Sequence, residues 1–259
     1  MELVMVGAGR LATNLAIALH EKGNRVLAVF SRTQVAAATL ADRVGATATA
    51  EIDALPCHAD AFILALKDDA LPGVIARLAR HRTDAVFLHT AGSVPMRVFL
   101  PHAQHYGVLY PMQTFSKERL VDFARVPFFI EGSDDRALQV ARQIASSLSS
   151  EVRPMSSDER RYLHLAAVFA CNFSNHCYAL AAEILQRHGL PFSVMQSLVE
   201  ETVEKVATLS PREAQTGPAV RYDEQVMNAQ LQLLSELPTA RRVYEVMSQS
   251  IHQLATTND

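Results

Sequence analysis

The sequence predicts an α/β chain, a doubly wound and mostly parallel sheet followed by an all-helical C-terminal domain. Three observations predict it. A short apolar run at 2–6 leads through a glycine-containing turn into a helix-period stretch and then a second apolar run. Short apolar runs and helical stretches keep alternating to about residue 155. Beyond that point every pattern is helical, which divides the chain into 1–153 and 154–259. With 259 residues, of which 49% are hydrophobic, two modest cores are affordable.

Taken in order, "ELVMV" (2–6) reads as a short buried strand. "RLATNLAIALHEKG" (10–23) has helical apolar spacing at Leu11, Leu15, Ala18 and Leu19 and stops at Gly23. "NRVLAVFSRT" (24–33) and "AFILAL" (61–66) are further strands, the latter followed by a helix over 67–81. Strands follow at 85–93, 107–115 and 127–132, then an amphipathic helix over 134–149 and a last short strand at 151–155. The second half opens with one long helix over 156–189, which has a polar start and Gly189 as its stop. A helix over 191–210 begins with Pro191, residues 212–223 form a polar loop, and two more helices are separated by Pro238.

The totals exclude several classes. A net charge of −3 without a basic block argues against nucleic acid as a partner. Cys57, Cys171 and Cys177 form no C-x-x-C pair, which suits a reducing cytoplasm, and the two later ones read as small core residues. The N-terminus reads as a strand rather than a signal peptide. Residues 162–182 carry no Asp, Glu, Lys or Arg, a length that matches a bilayer. His164, Asn172, Ser174, Asn175 and His176 would be costly in lipid, so the segment reads as a helix buried in protein, and no membrane partner is expected. His102 and His105 lack further ligands at metal spacing, so no metal site is expected.

Gly7, Gly9 and Ala12 occupy Gly-x-Gly-x-x-Ala positions between the first strand and the first helix. That context fits a dinucleotide. Gly7 permits the tight turn, Gly9 lets the backbone approach a pyrophosphate, and Ala12 keeps the helix close to the strand. The helix start, with Arg10 and Leu11, then faces the phosphates. An NAD site expects an acid near the end of the second strand, where this chain has Ser31, Arg32 and Thr33. Two hydroxyls and a guanidinium suit a 2′-phosphate, so NADP is expected ahead of NAD. The alternative is that Arg32 is a solvated loop charge and Thr33 caps the next helix.

Ligands of such sheets lie beyond the carboxyl ends of the strands. There Leu66, Thr90 and Ala91 are expected against the cofactor, and Ser93, Pro111, Gln113 and Thr114 against a substrate. At 100° per residue His164, Asn172 and Asn175 share a stripe of the long helix with Val168 and Cys171. Those groups either satisfy buried hydrogen bonds or face a ligand. In the second case His164 is the candidate general acid, with Asn172 and Asn175 holding the substrate. Arg221, after the Gly217–Pro218 turn, either clamps a substrate carboxylate or pairs with Asp223 or Glu224.

Taken with the family that these same residues resemble, the pattern predicts hydride transfer between NADP and a small C=O or C=N substrate. The rival expectation is a non-catalytic NADP-binding sensor or scaffold. The uncharged run 162–182 asks for more cover than its own domain supplies, which predicts a homodimer through the helical half.

The chain also resembles a known family, the Rossmann-like proteins whose second half is domain of unknown function 2520. The matching residues are "VGAGRLA", "FSRT", "HTAGS", "YPMQTFS", "PFFIEG", "HLAAVFACNFSNHCYAL" and "QTGPAVRYD", which together span nearly the whole chain. Members are commonly named NADP oxidoreductases, so the resemblance implies that activity and cofactor. More distantly the layout is similar to pyrroline-5-carboxylate reductase and to the 6-phosphogluconate and 3-hydroxyisobutyrate dehydrogenases. This more distant resemblance implies a nucleotide domain followed by a helical domain that dimerises. The hydroxyacid enzymes of that group use a lysine and an asparagine one turn apart. No lysine lies in the long helix here, and His164 with Asn172 stand in their place at a different spacing.

Overall fold

The computed structural model describes residues 1–257. Its centre is an eight-stranded sheet in the order β3-β2-β1-β4-β5-β6-β7-β8. The strands are β1 (Glu2–Val6), β2 (Arg25–Phe30), β3 (Thr47–Thr49), β4 (Ala61–Leu64), β5 (Val86–His89), β6 (His105–Pro111), β7 (Phe128–Gly132) and β8 (Val152–Pro154). All pairings are parallel except that of β6 with β7, so the expected doubly wound, mostly parallel sheet is what forms.

The central strands β1, β4 and β5 are buried on both faces because they are almost wholly apolar. Successive residues point to opposite sides, so β1 sends Leu3 and Met5 into one core and Val4 and Val6 into the other. Helices α1 (Arg10–Glu21), α2 (Gln34–Val44) and α4 (Asp135–Leu148) cover the first core with Leu15, Leu19, Leu40, Ile144 and Leu148. Helix α3 (Leu71–Leu78) closes the second with Leu71, Ile75 and Leu78 against Phe62, Phe87 and Phe99.

Helix α2, strand β3 and a 3-10 turn at Ile52–Ala54 lie within 34–60, where the sequence pattern gives only the helix that Thr33 would cap. The buried side of α2 is Ala37, Leu40, Ala41 and Val44, a helical spacing made faint by its alanines. With three residues, β3 is too short for alternation to be read.

The predicted long helix is interrupted. Helix α5 (Ser157–Ala167) starts at a capping box between Ser156 and Glu159, and a π-helical stretch, Val168–Phe173, precedes α6 (Ser174–Arg187). The compact units of the chain meet within this stretch, as Met1–Asn172 and Phe173 onward. The change of pattern at 153/154 therefore marks a change of element type, whereas the packing boundary falls one helix later.

The second unit contains α6, α7 (Gln196–Thr208), α8 (Pro218–Arg221), α9 (Glu224–Leu233) and α10 (Pro238–Thr256). Its small core is Leu234, Leu237 and Ala240 packed with Leu180, Ile184 and Tyr244. The 162–182 run departs from expectation, because none of its residues is buried within the chain and Cys171 is exposed. No helix among the described residues is long and apolar enough to cross a membrane.

Candidate active site

The glycine turn is built around Gly7. Its N–H donates to the Phe30 carbonyl at 2.8 Å, which ties the end of β1 to the end of β2. Its φ is +124°, and a Cβ there would stand 2.3 Å from the Ala65 carbonyl oxygen just beyond β4. Only glycine meets both conditions. Gly9 differs. It has an ordinary φ of −77° and caps α1 without a side chain, and a Cβ on it would meet no atom within 4 Å. No acidic residue lies in the first turn of α1. The open N–H groups at Arg10, Leu11 and Ala12, together with the clear face at Gly9, fit a pyrophosphate.

At the end of β2, Arg32 and Thr33 are exposed and Ser31 is half-buried. Thr33 occupies the N-cap position of α2, yet its hydroxyl makes no cap hydrogen bond. Thr33 thus stands at the start of α2, where the alternative reading put it, without supplying a side-chain bond.

Across the sheet, a network around Arg160 fixes the start of α5. Arg160 is 1% exposed and donates to the Glu131 carboxylate at 2.8 Å and to the Val94 carbonyl at 2.6 Å. Ser157 donates to Glu131 through both its N–H and its hydroxyl, and it accepts from the Met96 N–H at 2.8 Å. A buried cation needs this number of partners, since losing one of them leaves an uncompensated charge. One helical turn further on, this clamp sets His164 beside β6. His164 Nδ1 and the Tyr110 hydroxyl lie 3.1 Å apart. Burial raises the Tyr110 phenol above its usual pKa, opposed in part by the Arg160 charge. Gly92 makes room for the imidazole, because a Cβ there would lie 2.4 Å from His164 Nδ1.

His164, Tyr110 and Asn172 line one cleft of about 650 Å³ together with Arg10 and Leu11 of the glycine turn and with Gln113 and Thr114. The start of the dinucleotide helix and the candidate acid thus share a single space. In the π stretch the hydrogen bonds close five residues back, so each residue turns through less than 100°. This breaks the ideal stripe. Val168, Cys171 and Asn172 face the cleft with His164, while Asn175 lies past the stretch, exposed on α6 in the second unit.

The other sequence candidates divide. Leu66 packs near the Gly7 turn just past β4, and the Thr90 N–H, just past β5, donates to the Leu64 carbonyl at 3.2 Å. Ala91 is half-buried and donates its N–H to His89 Nδ1 at 3.2 Å. Ser93 gives its hydroxyl to the Asp68 carboxylate and is not among the cleft residues. Pro111 is buried in β6, paired opposite Phe128, and also does not line the cleft. Arg221 is exposed at the end of α8 and makes no ion pair with Asp223 or Glu224 among the described residues. Asp223 instead caps α9 by accepting from the Val226 N–H. No cluster of three metal-ligating side chains occurs among the described residues.

Tyr110, Gly92 and the Arg160–Glu131 pair are absent from the sequence candidates. Tyr110 and Gly92 lie within the strand-end stretches already singled out. The Arg160–Glu131 pair spans 29 positions and carries no local signal.

His89 is buried beneath this edge. Its Nε2 makes no well-formed hydrogen bond. Burial first, and then the Arg160 charge, push its pKa down to about 3, offset in part by the Pro95 carbonyl. The folded protein therefore keeps His89 neutral at pH values where the unfolded chain, with an ordinary value near 6.5, takes up a proton. The unfolded state binds more protons between those values, so His89 lowers stability as pH falls from 6.5 toward 3. The slope from this residue approaches about 1.4 kcal/mol per pH unit. Urea unfolding at pH 7, 6 and 5 should show His89→Asn with a flatter pH dependence than the parent. Parallel curves would contradict the buried neutral imidazole.

Comparison with known proteins places this geometry in a family. Residues 1–112 match the Rossmann-like domain, and residues 126–251 match the domain of unknown function DUF2520. The crystal structure of "putative NADP oxidoreductase BF3122" from Bacteroides fragilis is 49% identical with a TM-score of 0.94, covering 97% of this chain and 98% of that one. Protein TM1727 from Thermotoga maritima is 23% identical with a TM-score of 0.81, over 98% of this chain and 100% of that one. An imine reductase from Streptomyces aurantiacus is 16% identical with a TM-score of 0.71, over 98% and 94%. At those last two identities the likeness shows the fold. No curated protein matches the sequence. With a 49% identical relative matched along nearly its whole length, and both domain models in sequence order, the chain belongs to the family of Rossmann-like proteins that carry the C-terminal domain DUF2520.

Proposed function

We propose that the protein is an NADP-dependent oxidoreductase that transfers hydride between the nicotinamide cofactor and a small C=O or C=N substrate. The observation that carries this reading is the shared cleft, in which Arg10 and Leu11 of the glycine turn face His164, Tyr110 and Asn172. The 49% identical relative named as an NADP oxidoreductase supports the same reaction class. When bound, the cofactor supplies the hydride. The protein's part is to orient the acceptor and deliver a proton to its oxygen or nitrogen. His164 is the proton donor from Nε2, its Nδ1 being held by the Tyr110 hydroxyl. Asn172 offers an amide to the substrate from the same cleft. Gln113 and Thr114 line the same cleft and are the further candidate substrate contacts.

The test is a screen of keto acids and cyclic imines with NADPH, followed by loss of its absorbance. The imine reductase of the same fold makes C=N compounds a natural first panel. Tight NADPH binding without turnover on any member would return the protein to the sensor or scaffold reading.

Cofactor choice rests on Ser31, Arg32 and Thr33 at the end of β2, where no acid stands to bind a ribose 2′-hydroxyl. Calorimetric titration is expected to show NADPH bound more tightly than NADH. Arg32→Ala should weaken NADPH by about tenfold or more and spare NADH. Equal losses, or tighter NADH in the parent, would contradict the assignment.

The working unit is a homodimer formed through the helical half. Tyr162, Leu165 and Phe169 are spaced along one side of α5 and the π stretch and are 64%, 53% and 62% exposed. In the second unit Leu198, Val203, Leu233 and Val246 are exposed as well. Apolar surface on this scale marks an association face. Sedimentation at micromolar concentration should give twice the chain mass, and a stable monomer would refute the proposal.

A further inference from the structure

A second cleft borders the glycine turn on the α1–α2 side. It measures about 370 Å³ and is lined by Ala8, Thr13, Thr33, Thr39, Arg43 and Lys117 among others. None of its lining residues is acidic. Arg43 and Lys117 make no ion pair among the described residues. Two uncompensated cations and several hydroxyls therefore face one space, and that space touches both Ala8 of the dinucleotide turn and Thr33 at the end of β2.

Lys117 belongs to the loop after β6, 84 residues beyond Thr33 in sequence. Its position is built rather than incidental. The buried Asn14 of α1 donates to the Ser116 carbonyl at 2.7 Å and accepts from the Val121 N–H at 2.9 Å, so one side chain holds both ends of 116–121 against the helix. Phe115 stacks on Phe123 and, like Val121, packs against the core beneath α1. Those ties at Ser116 and Val121 keep the exposed residues 117–120 beside the start of α1.

We infer that Lys117, which lines one cleft with Thr33 and Arg43, completes the adenosine 2′-phosphate subsite that the end of β2 begins. This rests on the NADP reading and deepens it, because cofactor choice is then decided by two segments rather than by the β2 end alone. The phosphate dianion gains a charge-assisted donor from Lys117, which a 2′-hydroxyl cannot use to the same extent.

The experiment uses the full chain and adenosine probes, so it needs no substrate. Calorimetry is run with 2′,5′-ADP, 5′-AMP, NADPH and NADH on the parent, Lys117→Met and Lys117→Arg. Lys117 is exposed, so the variants fold as the parent does. Lys117→Met is expected to weaken 2′,5′-ADP and NADPH by about tenfold and leave 5′-AMP and NADH unchanged, with most of the loss recovered in Lys117→Arg. No loss, or an equal loss for probes with and without the 2′-phosphate, overturns the inference while NADP binding by the parent stands. A parent that binds neither dinucleotide ends the cofactor reading, and this inference with it.

Discussion

Gly7→Ala and Gly9→Ala are expected to lose dinucleotide binding for opposite reasons. At Gly7 the added methyl falls 2.3 Å from the Ala65 carbonyl oxygen, on a backbone held at φ +124°. Strain of this kind costs about 1–3 kcal/mol before the clash is counted. The backbone of β4's end must also move, and it carries part of the cofactor edge. Urea unfolding should therefore show a clear loss of stability together with loss of NADPH binding. At Gly9 the φ is ordinary and the methyl meets no atom of the protein within 4 Å, so stability should match the parent. The methyl does occupy the face through which a pyrophosphate approaches the first turn of α1. NADPH affinity should fall by at least about tenfold. A Gly9→Ala protein that binds NADPH as the parent does would remove the turn from the cofactor site.

His164→Ala is expected to lower turnover by roughly 100-fold or more, the usual loss for a general acid, with NADPH affinity unchanged. A second variant reaches the same imidazole from the other side. Gly92→Ala places a Cβ 2.4 Å from His164 Nδ1 and 3.0 Å from its Cβ, so the ring must swing away and the α5 backbone must give with it. The bond to Tyr110 is then lost while His164 remains in the chain. Both variants should keep cofactor binding and lose rate. If His164→Ala instead lowers stability and leaves the rate per site intact, the imidazole serves packing between α5 and β6, and the proton comes from another group. Buffer dependence of the residual rate provides an independent check, because small imidazoles entering the cleft are expected to restore part of the activity of His164→Ala but none of Gly92→Ala.

By itself the sequence determined the fold class, the strand–turn–helix around Gly7 and Gly9, and the change to helices after residue 155. Each of these is a local signal. Apolar period, glycine placement and the lack of an acid near Arg32 can all be read within a few residues, because backbone geometry and side-chain alternation act at that range. Within 34–60 the alanines of α2 blur its pattern, and β3 escaped because it has only three residues.

The tertiary structure alone decided which polar groups meet. Tyr110 and His164 are 54 positions apart, Glu131 and Arg160 are 29 apart, and Asn14 reaches Val121 across 107. Nothing local marks such pairs, since each depends on where a strand end or a helix start falls after the sheet has assembled. The π stretch is the sharpest case. Ideal helical phase puts His164 and Asn175 nearly in line, whereas the widened turn keeps Asn172 with His164 in the cleft. Sequence periodicity assumes a constant rotation per residue, and a change in hydrogen-bond pattern within a helix alters that rotation without any change in residue type that a pattern would register.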